Sequence, residues 1–195
     1  MYIISSYSLA VFFCIITMLC WGSWGNTQKL ASKSWRYELF YWDYVIGVLL
    51  VSLLFGFTLG SMGEQGRSFT TDLVQVDPAN FWSAMIGGII FNAANILLSA
   101  SISIAGMAVA FPLGVGLALV LGVIINYIST PKGDPVILFL GVALIVLAII
   151  FNGIASGKMA TGEKKSSSKG IWLAIVAGIL MSFFYRFVAA AMDVN

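Results

Sequence analysis

The 195-residue sequence is 60% hydrophobic and only 9% charged, against about 25% charged residues in an ordinary soluble domain. Ten Lys+Arg and eight Asp+Glu cannot cover a water-soluble globule of 21.0 kDa, and with a mean hydropathy of +0.99 the composition selects lipid as the solvent. The absence of histidine removes the commonest general base and metal ligand and the Ser-His and Cys-His nucleophile pairs, while a net charge of +2 scattered between apolar runs makes no nucleic-acid patch.

Six apolar runs follow, each near the length of about 20 residues that a hydrocarbon core of about 30 Å requires. The first, Ser8 to Gln28, has no basic residue before it and no small-residue cleavage site after it, so it reads as a retained span rather than a signal peptide. Cys14 and Cys20 lie on different faces of this helix and predict neither a disulfide nor a metal site. Thr17, Trp21, Trp24 and Gln28 recur at helical spacing on one face. Trp21 and Trp24 are candidate substrate contacts, because indole planes stack on sugar rings and flat heterocycles; for Trp24 and Gln28 an interfacial position is the alternative. The second run, Leu39 to Gly60, holds Asp43 a turn inside. An acid at membrane depth is a candidate for proton coupling; near the interface it would instead pair with Arg36 or Lys33. Between the spans only Ser61 to Ala79 is long enough to be a loop with a shape of its own.

The third run, Phe81 to Ile104, places Asn92, Asn95, Ser99 and Ser103 on one face above Gly88. Carboxamides there offer donors and acceptors to a neutral polyol, sugar or amide-rich solute, with interhelical hydrogen bonding as the alternative. The fourth, Met107 to Ile128, carries a stripe of small residues at intervals of four, Gly106, Ala110, Gly114, Ala118 and Gly122, ending on Asn126. Such a repeat predicts a helix-packing seam with a right-handed crossing, and Asn126 joins the candidate substrate contacts. Pro112, which has no N–H to give, predicts either a cavity or a kink. The fifth run is Val136 to Ser156. The sixth, Ile171 to Ala191, carries Arg186, which either snorkels outward or faces the interior as an anion or acid partner. Positive residues favour the cytoplasmic side. Lys29, Lys33 and Arg36 in the first loop and Lys158, Lys164, Lys165 and Lys169 in the fifth outnumber Arg67 and Lys132 in the second and fourth, which puts the N-terminus outside.

Leu19-Cys-Trp-Gly-Ser-Trp-Gly-Asn-Thr-Gln-Lys29, followed by Tyr41-Trp-Asp-Tyr44, resembles the opening of ureide-permease-like proteins of the drug/metabolite transporter superfamily. Gly106 to Gly116 and Leu121 to Tyr127 resemble the fourth helix of that family and, more weakly, of the related glucose/ribose uptake and L-rhamnose–proton symport proteins. The resemblance covers nearly the whole chain. It implies a fold of ten spans in two inverted five-helix repeats that imports small polar compounds, often with protons. On that basis residues 1–156 are expected to be the first repeat, 157–170 a polar cytoplasmic linker, and 171–195 the first helix of an incomplete second repeat. Ser182 to Arg186 slides onto Cys20 to Trp24 with Phe183 over Trp21. The chain is then expected to be a fragment of a longer carrier or a half that pairs with another chain.

The expectation is an all-α integral membrane protein with six transmembrane helices in the plasma membrane. It would be a secondary transporter, or part of one, for a small neutral polar solute such as a sugar or ureide. Trp21, Trp24, Asn92, Asn95, Ser99 and Asn126 would contact substrate, Asp43 and Arg186 would serve proton coupling, and Gly106, Pro112, Gly114 and Gly122 would form the packing and hinge seam. Its partners would be the solute, membrane lipid and a second half or second copy. No cofactor or metal is expected, and no span holds a catalytic dyad. A drug or metabolite exporter on the same fold would want an acid deep in the first span, where there is none; a non-transporting membrane subunit is the other alternative.

Overall fold

The computed structural model describes residues 4, 6–63, 66–131, 133–159 and 167–192; Lys132, and residues 160–166 of the expected linker at 157–170 with Lys164 and Lys165, lie outside the described residues. Among the described residues the chain is all-helical: α1 (Tyr7–Ala31), α2 (Tyr37–Phe57), α3 (Phe69–Gln75), α4 (Pro78–Ala105), α5 (Met107–Ser129), α6 (Pro135–Met159) and α7 (Ser168–Ala191). All but α3 are long and apolar enough to cross a membrane, which makes this a multi-pass membrane protein with the six spans expected. The short α3 falls inside the stretch expected to be a loop.

Local chemistry sets several helix boundaries. Asp134 Oδ1 accepts the N–H groups of Val136 and Ile137 at 2.8 and 3.2 Å, and Pro135 occupies the first helical position, where its missing N–H costs nothing. Ser68 caps α3 by accepting the Thr71 N–H at 3.3 Å. Between α4 and α5 a single residue, Gly106, turns the chain at φ +83° and ψ 153°, a conformation open almost only to glycine.

The helices fall into two compact units, residues 1–78 and 79–195. In the first, α1 packs on α2 through Trp24 and Tyr44, whose ring centroids are 5.6 Å apart. Phe69 of α3 closes on the end of α2, edge-on to Phe57 at 5.4 Å and against Gly56. The segment joining them is held by the Phe69 N–H, which donates to the Gly60 carbonyl at 3.1 Å, and by the Ser61 hydroxyl, which donates to the Gly56 carbonyl at 2.9 Å.

In the second unit α7 packs against both α4 and α5. It is antiparallel to α4: Ser101 Oγ donates to the Gly170 carbonyl at 2.6 Å near one end, Phe91 stacks on Phe184 at 4.9 Å, and Ser83 Oγ donates to the Phe187 carbonyl at 2.8 Å near the other end. It is parallel to α5, with Gly178 against Gly114 and Leu117, and Ser182 against Gly122. The buried face of α7 is Gly170, Ala174, Ala177, Gly178, Met181 and Ser182, nearly all small. A methyl at Gly178 would sit 2.7 Å from the Gly114 carbonyl oxygen, and one at Gly170 only 2.5 Å from the Ala105 Cβ. The backbones therefore approach as closely as they do because these side chains are missing. On another face of α5, Gly116 admits Ile149 of α6, and Tyr127 meets Phe139 edge-on at 5.4 Å, an antiparallel hairpin.

Replacing Gly178 by alanine drives a methyl into the Gly114 carbonyl, and strain of this kind costs about 1–3 kcal/mol. Gly178→Ala is therefore expected to lower the melting temperature of the detergent-solubilised protein measured by circular dichroism. Gly141→Ala, where a methyl meets nothing within 4 Å, leaves it unchanged. Ser101→Ala gives a smaller drop than Gly178→Ala, because interhelical hydrogen bonds in membranes average about 0.6 kcal/mol.

Candidate functional site

On α4 the buried positions are Gly87, Ala94, Asn95, Leu98, Ser99, Ser101 and Ile102, the helical period that points one face at α5 and α7. The expected polar stripe runs along the border of that face. Asn95, at 5% exposure, and Ser99, fully buried, lie inside it. Asn92 and Ser103 lie outside it and are exposed, because steps of three and four residues place them about 20–60° farther round the helix. The stripe is thus divided, its middle enclosed among Ala94, Leu98 and Ile102 and its two ends open. A carboxamide enclosed at this depth holds two donors and an acceptor where hydrocarbon offers none.

Along α5 the stripe residues Ala110, Gly114 and Ala118 are buried. A methyl at Gly114 would meet Leu98 of α4 at 2.6 Å, while one at Gly122 would lie 3.9 Å from the Ser182 carbonyl oxygen. Gly106 differs from the rest: it is exposed, a methyl there meets nothing within 4 Å, and its part is the turn. Pro112 lies half-buried in the second turn of a helix that runs on to Ser129. Asn126 is half-buried, and its Nδ2 donates to the Gly122 carbonyl one turn back at 2.8 Å, leaving its other polar positions for a further partner. Two packing features went unread in the sequence. Gly170, Ala174, Gly178 and Ser182 repeat at intervals of four as the α5 stripe does, and that spacing was the available signal. Gly116 carried none, since one glycine off the stripe predicts no partner.

In the first unit Trp24 is half-buried, with Tyr44 tilted against it and Tyr41 5.8 Å beyond Tyr44. Gly25, Gln28 and Tyr41 are buried, Gln28 to 2% exposure. Trp21 is 40% exposed. Sequence reasoning missed Tyr41 and Tyr44 as partners of the α1 face, although they lie one turn apart in the Tyr41-Trp-Asp-Tyr44 segment. Asp43 is exposed, and helical geometry turns it away from the Tyr41–Tyr44 side of α2. Arg36, one of its two expected partners, instead pairs with Glu38 at 3.0 Å. The hydrogen bond that Arg36 donates to the Glu38 carboxylate raises the guanidinium above its ordinary value, but both groups are solvent-exposed and the pair adds little stability. Arg186 is exposed on α7.

Among the described residues, six long apolar helices with carboxamide, hydroxyl and indole groups along them define a polytopic membrane protein. Residues 40–171 match the ureide permease family model. The chain belongs to the ureide permease family. Among curated relatives it is 28% identical to ureide permease 3 of Arabidopsis thaliana over 172 residues, covering 87% of this chain and 50% of that protein. Ureide permease 1 of the same plant is 26% identical over 166 residues, covering 84% and 43%, and ureide permease 2 is 28% identical over 169 residues, covering 84% and 42%. The chain spans about half the length of the curated relatives it matches. No solved structure matches it.

Gly106→Ala is expected to force an L-residue into the glycine-only turn between α4 and α5, at a cost of about 1–3 kcal/mol. The measurable outcome is a lower melting temperature in detergent, against no loss for Gly88→Ala, where a methyl on α4 meets nothing within 4 Å.

Proposed function

We propose that this chain forms part of a secondary transporter that carries a ureide, or a neutral polar solute of similar chemistry such as a sugar, across the plasma membrane with protons. The observation that carries this reading is the enclosed Asn95 carboxamide, with Ser99 one turn on, in a chain of the ureide permease family. A ureide is a planar set of alternating carbonyl acceptors and N–H donors, and a carboxamide is its natural complement because it offers both. In the second unit Asn95 and Ser99 would bind at the inner edge of the α4 stripe and Asn92 at its outer edge, with Asn126 of α5 supplying a further carboxamide; in the first, Trp21 and Trp24 of α1 would offer flat apolar surface to the solute. The α5 seam of Gly114 and Gly122, with Pro112 near its start and the Gly106 turn before it, would set where helices rock during transport. Asp43 and Arg186 would each serve proton coupling, and the N-terminus would face outside. The rest of the solute path would come from helices beyond these six, of a longer carrier, a second copy or another chain.

The test is uptake of a radiolabelled cyclic ureide, hydantoin, into proteoliposomes under an imposed pH gradient. Asn95→Ala is expected to raise KM about tenfold, the loss of roughly one well-made hydrogen bond. Asp43→Asn should abolish pH-driven accumulation while sparing counterflow; accumulation unchanged by Asp43→Asn would remove proton coupling through this residue. Hydantoin flux no faster than in empty liposomes would remove the transport reading.

A further inference from the structure

We infer that one face of α6 is an interface between two copies of this chain, centred on Asn152, whose carboxamide pairs with the same carboxamide of the second copy across a twofold axis. This goes beyond the carrier reading above and does not depend on which solute is moved.

The starting observation is an amide with nothing to bond. Asn152 is exposed on a helix long and apolar enough to cross a membrane, and its side chain makes no hydrogen bond among the described residues. Asn26 and Asn126 each donate Nδ2 to the carbonyl one turn back, at 3.4 and 2.8 Å; Asn152 does not. No charged residue lies between Asp134 and Lys158, and at 1.5 Å of rise per residue Asn152 stands about 9 Å along the helix before Lys158, inside the charged end of the span. A carboxamide that faces acyl chains there has donors and an acceptor that hydrocarbon cannot answer. Between membrane helices such a group is drawn to a polar partner on another helix.

The surroundings of Asn152 suit close approach. Helical spacing puts Ala148 and Ala155 one turn to either side of it on one face, and all three are exposed. That face is turned about 60–120° round the helix from Ile149, which enters the space at Gly116 of α5. It is also separate from the face of Leu147, Phe151 and Ile154, large exposed residues that suit lipid. Methyl side chains above and below the amide let a second backbone come near. The amide itself selects the occupant. A carboxamide is its own complement, since the N–H of each copy can donate to the C=O of the other. A twofold contact sets the same patch of both copies face to face, so a second copy brings the matching donor and acceptor by symmetry, whereas an unlike helix would need them at the same depth. With no charge between Asp134 and Lys158, like charges do not oppose the contact at the level of the amides.

The test uses the purified full chain in liposomes at a high ratio of lipid to protein, so that no other polypeptide is present and chance encounters are few. Cys14 and Cys20, both exposed, are first replaced by alanine. Single cysteines then enter as Ala155→Cys on the proposed face or as Ala143→Cys, an exposed position about 120° away on the same helix, and copper phenanthroline oxidises them. The expected result is a cross-linked dimer for Ala155→Cys and only a trace for Ala143→Cys. Asn152→Leu, close in size but without the amide, should weaken association about tenfold, read as energy transfer between labelled copies on dilution into lipid. Asn152→Gln, which keeps both amide groups, should restore most of it. The circular dichroism of Asn152→Leu should match that of the unaltered chain, since the side chain bonds to nothing within one copy, and the cross-link itself is read with Asn152 in place. Equal cross-linking at both positions overturns the interface, as does a dimer that survives Asn152→Leu undiminished or the absence of energy transfer at every dilution. None of these outcomes bears on solute uptake, so the carrier reading stands or falls separately.

Discussion

Close backbone approach is the constraint on which residues 79–195 depend. Lipid tails are as apolar as leucine, so helices in a bilayer gain almost nothing by hiding leucines from them, and what holds helices together is packing distance and shape. The structure meets this with α7, whose Gly170, Ala174, Gly178 and Ser182 leave room for α4 on one side and α5 on the other. Large apolar residues such as Leu140, Leu144, Phe151 and Trp172 are left on the outside, where a soluble fold would not tolerate them and hydrocarbon does. The usual inside-out logic of a globular core is replaced by small residues within and large ones without.

Tight packing also decides what a polar side chain can do. At Ser101 and Ser83 a hydroxyl reaches the backbone of α7 directly, and such hydroxyls belong to the framework. Asn95 and Ser99 lie on the same helix, at the edge of the same buried face, where the enclosing residues are Ala94, Leu98 and Ile102. An amide enclosed there is costly to keep unless it is hydrogen-bonded. The rotation between Ser101 and Ser99 separates the two positions: one carries the hydroxyl toward the Gly170 carbonyl, and the other leaves it at the border of the buried face, beside Asn95.

The first unit follows different rules. Its contacts are aromatic, Trp24 with Tyr44 and Phe57 with Phe69, and its helices carry no seam of small residues like that of α7. Aromatic faces hold orientation without demanding close backbone approach, and they leave donor and acceptor atoms at their edges. The two ion pairs of this unit lie at helix starts: Arg36 with Glu38 at the start of α2, and Arg67 with Asp72, 3.2 Å apart, at the start of α3, while Asp43 lies farther into α2.

Much of this was legible in the residues alone. The length of each apolar run determined six spans to within a few residues at either end, because the thickness of hydrocarbon is a fixed ruler. The four-residue stripe on α5 marked a surface where something must come close, and the spacing of Asn92, Asn95, Ser99 and Ser103 marked a polar face. What a helical repeat cannot say is which neighbour fills a face or where burial stops along it. Only the tertiary structure decided that α7 is the partner that reaches both α4 and α5, that Asn95 and Ser99 are enclosed while Asn92 and Ser103 are not, that Arg36 takes Glu38 rather than Asp43, and that Tyr41 and Tyr44 bank against Trp24. Period and composition are properties of one helix, set by its own geometry and by the solvent around it. Contacts belong to pairs of helices, and they are chosen by the fit of two surfaces that lie far apart in the chain.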